Sequence, residues 1–177
     1  MRRNTCSVIL AIATTALVAC SSDNNLSPAP ADATVSVQDQ CDIASFNAAL
    51  GAGACAKQGS MTLDAFNAEL NATQAVAAWR FVPNTLTIRV GQAITATNDG
   101  GETHTFTEVK AFGGVIVPAL NTASGSPNEA PECAALSASD RIASGATFRT
   151  DAADAAGTEY YQCCIHPWMR ATVTVTN

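Results

Sequence analysis

A short run near the end of the chain carries three kinds of metal-binding side chain. Residues 161–169 read Tyr-Gln-Cys-Cys-Ile-His-Pro-Trp-Met, which places a thiolate, an imidazole and a thioether at Cys163, His166 and Met169. The chain has two histidines, and the other is His104. Two imidazoles, one thiolate and a weak axial thioether suit copper, because soft sulfur holds Cu(I) while the nitrogens also accept Cu(II). These residue types predict a redox-active copper site that uses both histidines.

The two adjacent cysteines, Cys163 and Cys164, compete for the role of thiolate ligand. Successive side chains of a strand point to opposite faces, so only one of them can face the metal. We favour Cys163 as the ligand, with Cys164 turned away. Alternatively, the pair forms a strained vicinal disulfide without metal, His104 is a satisfied or surface histidine, and Met169 is a core residue. Zinc would use the same thiolate and imidazoles, but it seldom recruits methionine.

The rest of the chain must place these groups, and from residue 74 onward it has the pattern of short strands. β-Branched and aromatic runs are separated by Gly, Pro and Asn, which predicts an all-β fold, an antiparallel sandwich of about seven strands. The predicted strands are 79–81, 86–90, 93–97, 103–109, 146–149, 159–163 and 171–176. Residues 112–140 are irregular and predict a long loop that is functional or held by a disulfide.

Residues 41–73 differ from this pattern and predict a small N-terminal extension of two short helices. Asp42 is a candidate cap and Gly51 a candidate stop for the first helix. Helices this short are marginal alone, so they must pack on the main domain or be stapled. Cys41 and Cys55 bracket the first helix, and a disulfide between them would stabilise it by roughly 3 kcal/mol.

The first forty residues read as an export signal followed by a tether. Two arginines precede an apolar stretch at 8–18, which is typical of a secretory signal peptide. The tetrapeptide at 17–20, Leu-Val-Ala-Cys, resembles the bacterial lipobox, and that resemblance implies cleavage after residue 19 and a lipid anchor on Cys20. The alternative is an ordinary signal peptide cut nearby. Ser21 favours the outer membrane, and the polar residues 20–40 predict a tether.

The net charge of the chain indicates which class of partner it binds. The chain has nine basic and fifteen acidic side chains, for a formal net charge of −6, and loss of the signal would make it more acidic. An acidic surface argues against nucleic acid and suits a basic redox protein. We therefore expect a periplasmic or cell-surface protein, held to a bacterial membrane through Cys20.

The order of the candidate ligands resembles that of the cupredoxins, over residues 74–177. A histidine in a middle strand is followed by a cysteine at the end of the penultimate strand, a short loop and a final strand. The loop Cys163-x-x-His166-Pro167-x-Met169 matches the spacing of the short amicyanin loop, with plastocyanins and pseudoazurins as longer-looped relatives. The opening strand pair carries the further matches Phe81, Pro83, Leu86, Ile88 and Gly91, and Asn98 stands ahead of His104.

This resemblance implies a Greek-key β-sandwich that holds one type 1 (blue) copper ion. It makes His104, Cys163, His166 and Met169 the ligands. Around them, amides near Thr105 and the ligand loop are expected to bond the thiolate of Cys163, and Asn98 is expected to tie the two ligand loops together. Trp168 either forms an apolar collar around an exposed edge of His166, where electrons would pass, or packs on the end of the sandwich.

Four further cysteines allow three pairings. We predict Cys41 with Cys55 and Cys133 with Cys164, the second of which would pin the long loop beside the site. Because no catalytic base, nucleophile or second metal site is visible, we interpret the chain as a single-electron carrier and not an enzyme. The alternatives are a copper protein for storage, delivery or tolerance, and an anchored module in which copper stabilises the fold while the helices or long loop bind another protein.

Overall fold

The computed structural model describes residues 30–177. The predicted signal peptide, the candidate lipidation site Cys20 and the first half of the predicted tether lie outside these residues. Over the range that is described, no helix has the length and apolar character needed to cross a membrane.

Strands dominate the described chain, with short helices between them. In chain order the elements are β1 Ala33–Gln38, α1 Ile43–Leu50, α2 Leu63–Thr73, β2 Arg80–Val82, β3 Thr85–Arg89, β4 Ile94–Asn98, β5 Thr107–Val109, α3 Pro118–Ala123, α4 Pro131–Ala134, a 3₁₀ turn at Ala138–Asp140, β6 Thr147–Arg149, β7 Gly157–Gln162 and β8 Arg170–Thr176. The predicted long loop therefore contains three short helical turns.

The strands form two four-stranded sheets. One sheet has the order β2-β1-β4-β6 and the other has the order β3-β8-β7-β5. The prediction of an all-β sandwich with two short helices before the main run of strands is confirmed. The expectation of purely antiparallel pairing is wrong, because β1 pairs with β4 and β3 pairs with β8 in parallel. Parallel neighbours need long connections, and both pairs join strands that are far apart in sequence.

Apolar side chains alternate along the strands and fill the core. In β8, Ala171, Val173 and Val175 are buried, whereas Thr174 and Thr176 are exposed. A one-residue slip in the pairing of β8 would turn these three apolar side chains to solvent, so burial fixes the register. That register in turn fixes where the loop before β8, residues 163–169, leaves the sandwich.

The predicted tether is wrong for its last part, because Ala33–Gln38 is the strand β1. Val35 and Val37 are buried in the core, and β1 lies between β2 and β4. The sequence Ala-Thr-Val-Ser-Val-Gln has the alternation of a half-buried strand, but the polar and proline-containing residues before it obscured that signal. The sandwich therefore begins before residue 41, and the helical segment is an insertion between two strands of one sheet.

The two predicted helices form and dock on the sandwich. Asp42 and Thr62 cap them, each accepting a hydrogen bond from a backbone amide in the first turn. Phe46 of α1 stacks on Trp79, with ring centroids 5.8 Å apart, and Phe66 of α2 meets the same indole edge-on at 4.8 Å. This aromatic cluster attaches the helices to the end of the sandwich that carries the candidate site.

Candidate metal centre

Three of the four predicted ligands lie together in the interior. Nδ1 of His104 is 3.8 Å from Sγ of Cys163, and Nδ1 of His166 is 3.7 Å from the same sulfur. The two imidazole rings are 5.0 Å apart between centroids, and all three residues are buried. The structure thus brings one thiolate and two imidazole nitrogens, from positions 59 and 3 residues apart in sequence, to one point.

His104 is held by its backbone. Its N–H donates to the carbonyl of Ile142 and its carbonyl accepts from the N–H of Ile142, at 3.1 and 2.8 Å. This isolated bridge replaces the first half of the strand predicted for 103–109, because β5 begins only at Thr107. Because both backbone groups of His104 are hydrogen-bonded, the backbone position from which its imidazole extends is fixed.

The ligand loop is closed by its own backbone. The N–H of Cys163 donates to the carbonyl of Met169, and the N–H of Met169 donates to the carbonyl of His166, each at 3.0 Å. Met169 is fully buried in the main core. Its place in this loop is compatible with the axial thioether role, which stays a prediction.

The two adjacent cysteines face different parts of the interior, as strand alternation requires. Cys163 belongs to the main core, whereas Cys164 lies in a second apolar cluster with Val109, Ala130 and Cys133. Cys164 is disulfide-bonded to Cys133, and Cys41 is bonded to Cys55, which are the predicted pairings. Among the cysteines in residues 30–177, Cys163 alone is outside a disulfide. The vicinal disulfide is therefore not formed.

The donor spacing fits a single first-row metal ion. Bonds of about 2.0 to 2.3 Å to nitrogen and sulfur, at angles between tetrahedral and trigonal, separate the two donor atoms by about 3.6 to 3.8 Å. The observed Sγ–Nδ1 distances of 3.7 and 3.8 Å match this range. One thiolate with two imidazoles is a donor set that suits copper.

The positions of the three candidate ligands in the two-sheet sandwich decide the type of fold. One histidine precedes β5, the cysteine follows β7, and the second histidine lies in the loop before β8. It is a cupredoxin-like fold. The chain is similar to the solved structure of a purple cupredoxin from Nitrosopumilus maritimus, with 19% identity and a TM-score of 0.46, over 82% of this chain and 100% of that chain. It is also similar to a reduced variant of amicyanin, with 20% identity and a TM-score of 0.39, over 58% of this chain and 78% of that chain. No family model and no curated protein matches the chain.

Thr105 contacts the site differently from the expectation. Its hydroxyl accepts a hydrogen bond from the N–H of Cys164 at 2.8 Å, and within residues 30–177 no backbone amide donates to Sγ of Cys163. The side chain of Thr105 therefore fixes the main chain just after the candidate ligand. The polar contacts of this sulfur in the described residues are those with the two imidazole Nδ1 atoms.

Asn98 is buried but does not tie the two ligand loops together. Its side-chain amide donates to the carbonyls of Glu102 and Ile142, at 2.7 and 2.8 Å, and its oxygen accepts from the N–H of Gly100. All these contacts lie on the His104 side. Asn98 thus shapes the turn before His104 and leaves the 163–169 loop to its own hydrogen bonds.

The edge of His166 is covered, contrary to the expectation of an exposed edge. His166 is 3% exposed, and its ring centroid lies 5.7 Å from Trp168 and 6.5 Å from Trp79. Trp168 in turn meets Phe66 of α2 at 5.9 Å. Trp168 therefore joins His166 to the docked helices, and the residue itself is partly exposed. The sequence could not show this, because it requires the extension to dock over the ligand loop.

Two buried carboxylates complete the site, and neither is predicted from the sequence. Asp39 lies 2.8 Å from Nε2 of His104, and Glu102 lies 3.4 Å from Nε2 of His166. Asp39 follows β1, in the segment taken for a tether, and Glu102 lies in a glycine-rich turn. No spacing rule connects either residue with its histidine. What marks these two carboxylates is their burial, at 4% and 9% exposure, and burial is known only from the folded structure.

Electrostatics in the protein without metal favour a thiolate between charged imidazoles. Burial alone would raise the pKa of Cys163, but hydrogen bonds and charge from both histidines place it well below its usual range. Burial alone would lower the pKa of His166, but Cys163 and Glu102 raise it to about 10. Contacts with Asp39 and Cys163 likewise outweigh burial and raise the pKa of His104. A metal that binds here must displace protons from these nitrogens.

Proposed function

We propose that this protein is an extracytoplasmic carrier of single electrons with one type 1 copper ion. The observation that carries the proposal is the convergence of His104, Cys163 and His166, with both Nδ1 atoms directed at one buried sulfur. Met169 would supply the axial thioether. Bound copper would supply a one-electron couple, Cu(II)/Cu(I), at this position.

The protein groups are suited to hold their positions through such a cycle. The backbone of His104 is paired on both sides, and the ligand loop is closed by two internal hydrogen bonds. The Cys133–Cys164 disulfide fixes the residue next to the candidate thiolate. A cage with its donors fixed in advance requires little rearrangement when charge changes, which favours fast electron exchange.

The route for electrons is proposed to run through Trp168. The indole of Trp168 lies beside His166, with the ring centroids 5.7 Å apart, and Trp168 as a residue is partly exposed. His166 itself is buried. A partner that docks over Trp168 would therefore approach the site without any movement of the ligand loop.

The proposed location is the periplasmic or cell-surface side of a bacterial membrane, with the lipid anchor at Cys20. Two disulfides support an oxidising compartment, and the signal-like stretch at 8–18 with the lipobox-like residues supports export. The net charge of −6 supports a basic redox protein as the partner, and it speaks against nucleic acid.

Voltammetry of the copper-loaded mature chain tests this function, with Cys20→Ser to prevent lipidation. We expect a reversible one-electron wave and rapid electron exchange with small inorganic oxidants. The matched variant Cys163→Ser should lose the wave. A protein that instead passes Cu(I) quickly to a chelating acceptor, and exchanges electrons slowly, would be a copper-delivery protein and would contradict the proposal.

A further inference from the structure

The carboxylate of Asp39 lies behind His104, and both of its oxygens have hydrogen-bond partners. One oxygen accepts from the N–H groups of Cys41 and Gly101, at 3.1 and 2.9 Å. The other accepts from the N–H of Glu102 at 2.9 Å and faces Nε2 of His104 at 2.8 Å. Three backbone amides thus hold an anion in place, and the fourth position is filled by the imidazole.

Glu102 makes a second, looser contact with the other imidazole, at ion-pair distance. Its carboxylate accepts a hydrogen bond from Nε1 of Trp79 and faces Nε2 of His166 at 3.4 Å. Its own N–H is bound to Asp39, so the two carboxylates are joined through one peptide. The indole that holds Glu102 is the one on which α1 and α2 pack.

The two contacts have the same consequence for both imidazoles. Each Nε2 lies next to a carboxylate, hydrogen-bonded for His104 and at ion-pair distance for His166, and the opposite ring nitrogen, Nδ1, faces Cys163. A carboxylate that accepts from the outer nitrogen of a ligating histidine fixes the tautomer and ring orientation and raises the basicity of the ligand. A negative charge close to the ligands also favours the more positive oxidation state of a bound ion.

We infer that Asp39 and Glu102 are positioning residues that orient His104 and His166 toward the metal, strengthen metal binding and lower the reduction potential of the site. The inference rests on the proposed function for its redox part, whereas the orientation of the imidazoles requires only that a metal binds. Asp39 has the larger effect, because its contact is shorter and its carboxylate is fixed by three amides. The carboxylate of Glu102 contacts both the imidazole of His166 and the indole of Trp79.

The first experiment uses zinc as the probe, since zinc binds thiolate and imidazole and has no redox chemistry. In the zinc-loaded mature chain, we expect by ¹H–¹⁵N NMR a slowly exchanging, strongly downfield Nε2–H resonance from His104 and a less shifted one from His166. Asp39→Asn should displace the His104 resonance more than that of His166, and Glu102→Gln should displace the His166 resonance more than that of His104. Each variant should also weaken zinc binding, by about ten- to a hundredfold for Asp39→Asn and by less for Glu102→Gln.

Asp99→Asn is the matched control, because it removes the same charge from an exposed carboxylate in the same turn, bonded to Ser36 and not to an imidazole. It should leave both resonances and the zinc affinity unchanged. If Asp39→Asn fails to fold, Glu102→Gln still tests the inference, since Glu102 lies nearer the surface. Resonances that do not move in the folded variants would overturn it.

The second experiment measures the reduction potential of the copper-loaded variants. Asp39→Asn should raise the ratio of Cu(I) to Cu(II) affinity by about tenfold, which is about 59 mV for a one-electron couple, and Glu102→Gln should raise it by less. Potentials equal to that of Asp99→Asn would overturn the redox part. If the unaltered protein gives no copper couple while the zinc resonances behave as expected, the proposed function fails and the positioning role stands.

Discussion

Asp39 and His104 are 65 residues apart in sequence, yet their carboxylate oxygen and Nε2 lie 2.8 Å apart in the buried interior. The first of these residues follows β1, and the second lies in the turn region between β4 and β5. The contact therefore exists only when β1 is paired in its sheet. This makes the strand before the helical extension a part of the candidate metal centre.

Acid should weaken the metal-free protein through Asp39. Its pKa is lowered from 3.8 to about 2 in the folded state, so its contribution to stability is complete above pH 3.8 and is lost as the pH falls toward 2. The shift corresponds to about 2 kcal/mol. Both histidines are protonated throughout this range and do not add to the slope.

Urea unfolding at pH 5 and pH 2.5 measures this effect. The free energy lost by Asp39→Asn relative to the unaltered protein should be larger at pH 5 than at pH 2.5. Asp99→Asn serves as the control. If Asp39→Asn lost the same free energy of unfolding at both pH values, the pKa of Asp39 would not differ between the folded and unfolded states.

Gly100 should not tolerate a side chain. A Cβ at this position would overlap the carboxylate of Asp39, which cannot move without breaking its amide hydrogen bonds. Gly100→Ala should therefore destabilise the fold by about 1–3 kcal/mol and weaken metal binding. Gly157→Ala is the control, because its Cβ meets no heavy atom within 4 Å, and it should change stability by no more than about 0.5 kcal/mol. Equal effects on stability in thermal unfolding would contradict the close approach of Asp39.

The helical extension should contribute strongly to stability through one side of α1. Phe46 is 1% exposed and Leu50, on the same helix, is 58% exposed. Phe46→Ala should cost about 3–5 kcal/mol, whereas Leu50→Ala should cost about 0.5 kcal/mol or less. Urea denaturation of both variants checks this. A small loss for Phe46→Ala would mean that the helices are not docked on the sandwich.

The Cys41–Cys55 disulfide should stabilise the fold and the site together. It closes a span of 14 residues, for which the chain-entropy model gives about 3 kcal/mol. The double variant Cys41→Ala, Cys55→Ala should lose about that much in denaturant unfolding, and its zinc affinity should fall because the N–H of Cys41 helps to hold Asp39. Unaltered zinc affinity in the folded double variant would show that Asp39 is held without the disulfide.

The sequence allows the ligand loop to be predicted because its information is local. Cys163 and His166 are three residues apart and precede a strand with clear alternation, so their side chains must be close. The choice of Cys163 over Cys164 as the residue that faces the metal used the two-residue period of a strand together with the spacing of the resembled ligand loop, which sets the thiolate three residues before His166. Both disulfides are also formed as predicted. Cys41 and Cys55 bracket a helix, and Cys133 lies in the long loop that a disulfide was expected to hold.

The missed features all depend on tertiary contacts. Residues 33–38 have the alternation of a strand, but their polar surroundings suggested a tether, and only pairing with β2 and β4 makes them a strand. Asp39 and Glu102 acquire a role because β1 and the turn before His104 meet. The burial of His166 follows from helices docked on Trp79, which no periodicity in the ligand loop could indicate.

The visible absorption spectrum of the copper-loaded protein tests the central claim most directly. The unaltered mature chain, with Cys20→Ser, should give an intense thiolate-to-Cu(II) charge-transfer band that disappears on reduction and returns on oxidation. Cys163→Ser should abolish the band, whereas the double variant Cys133→Ser, Cys164→Ser should keep it. The absence of the band from the unaltered protein, or its persistence in Cys163→Ser, would contradict a copper centre built on this thiolate.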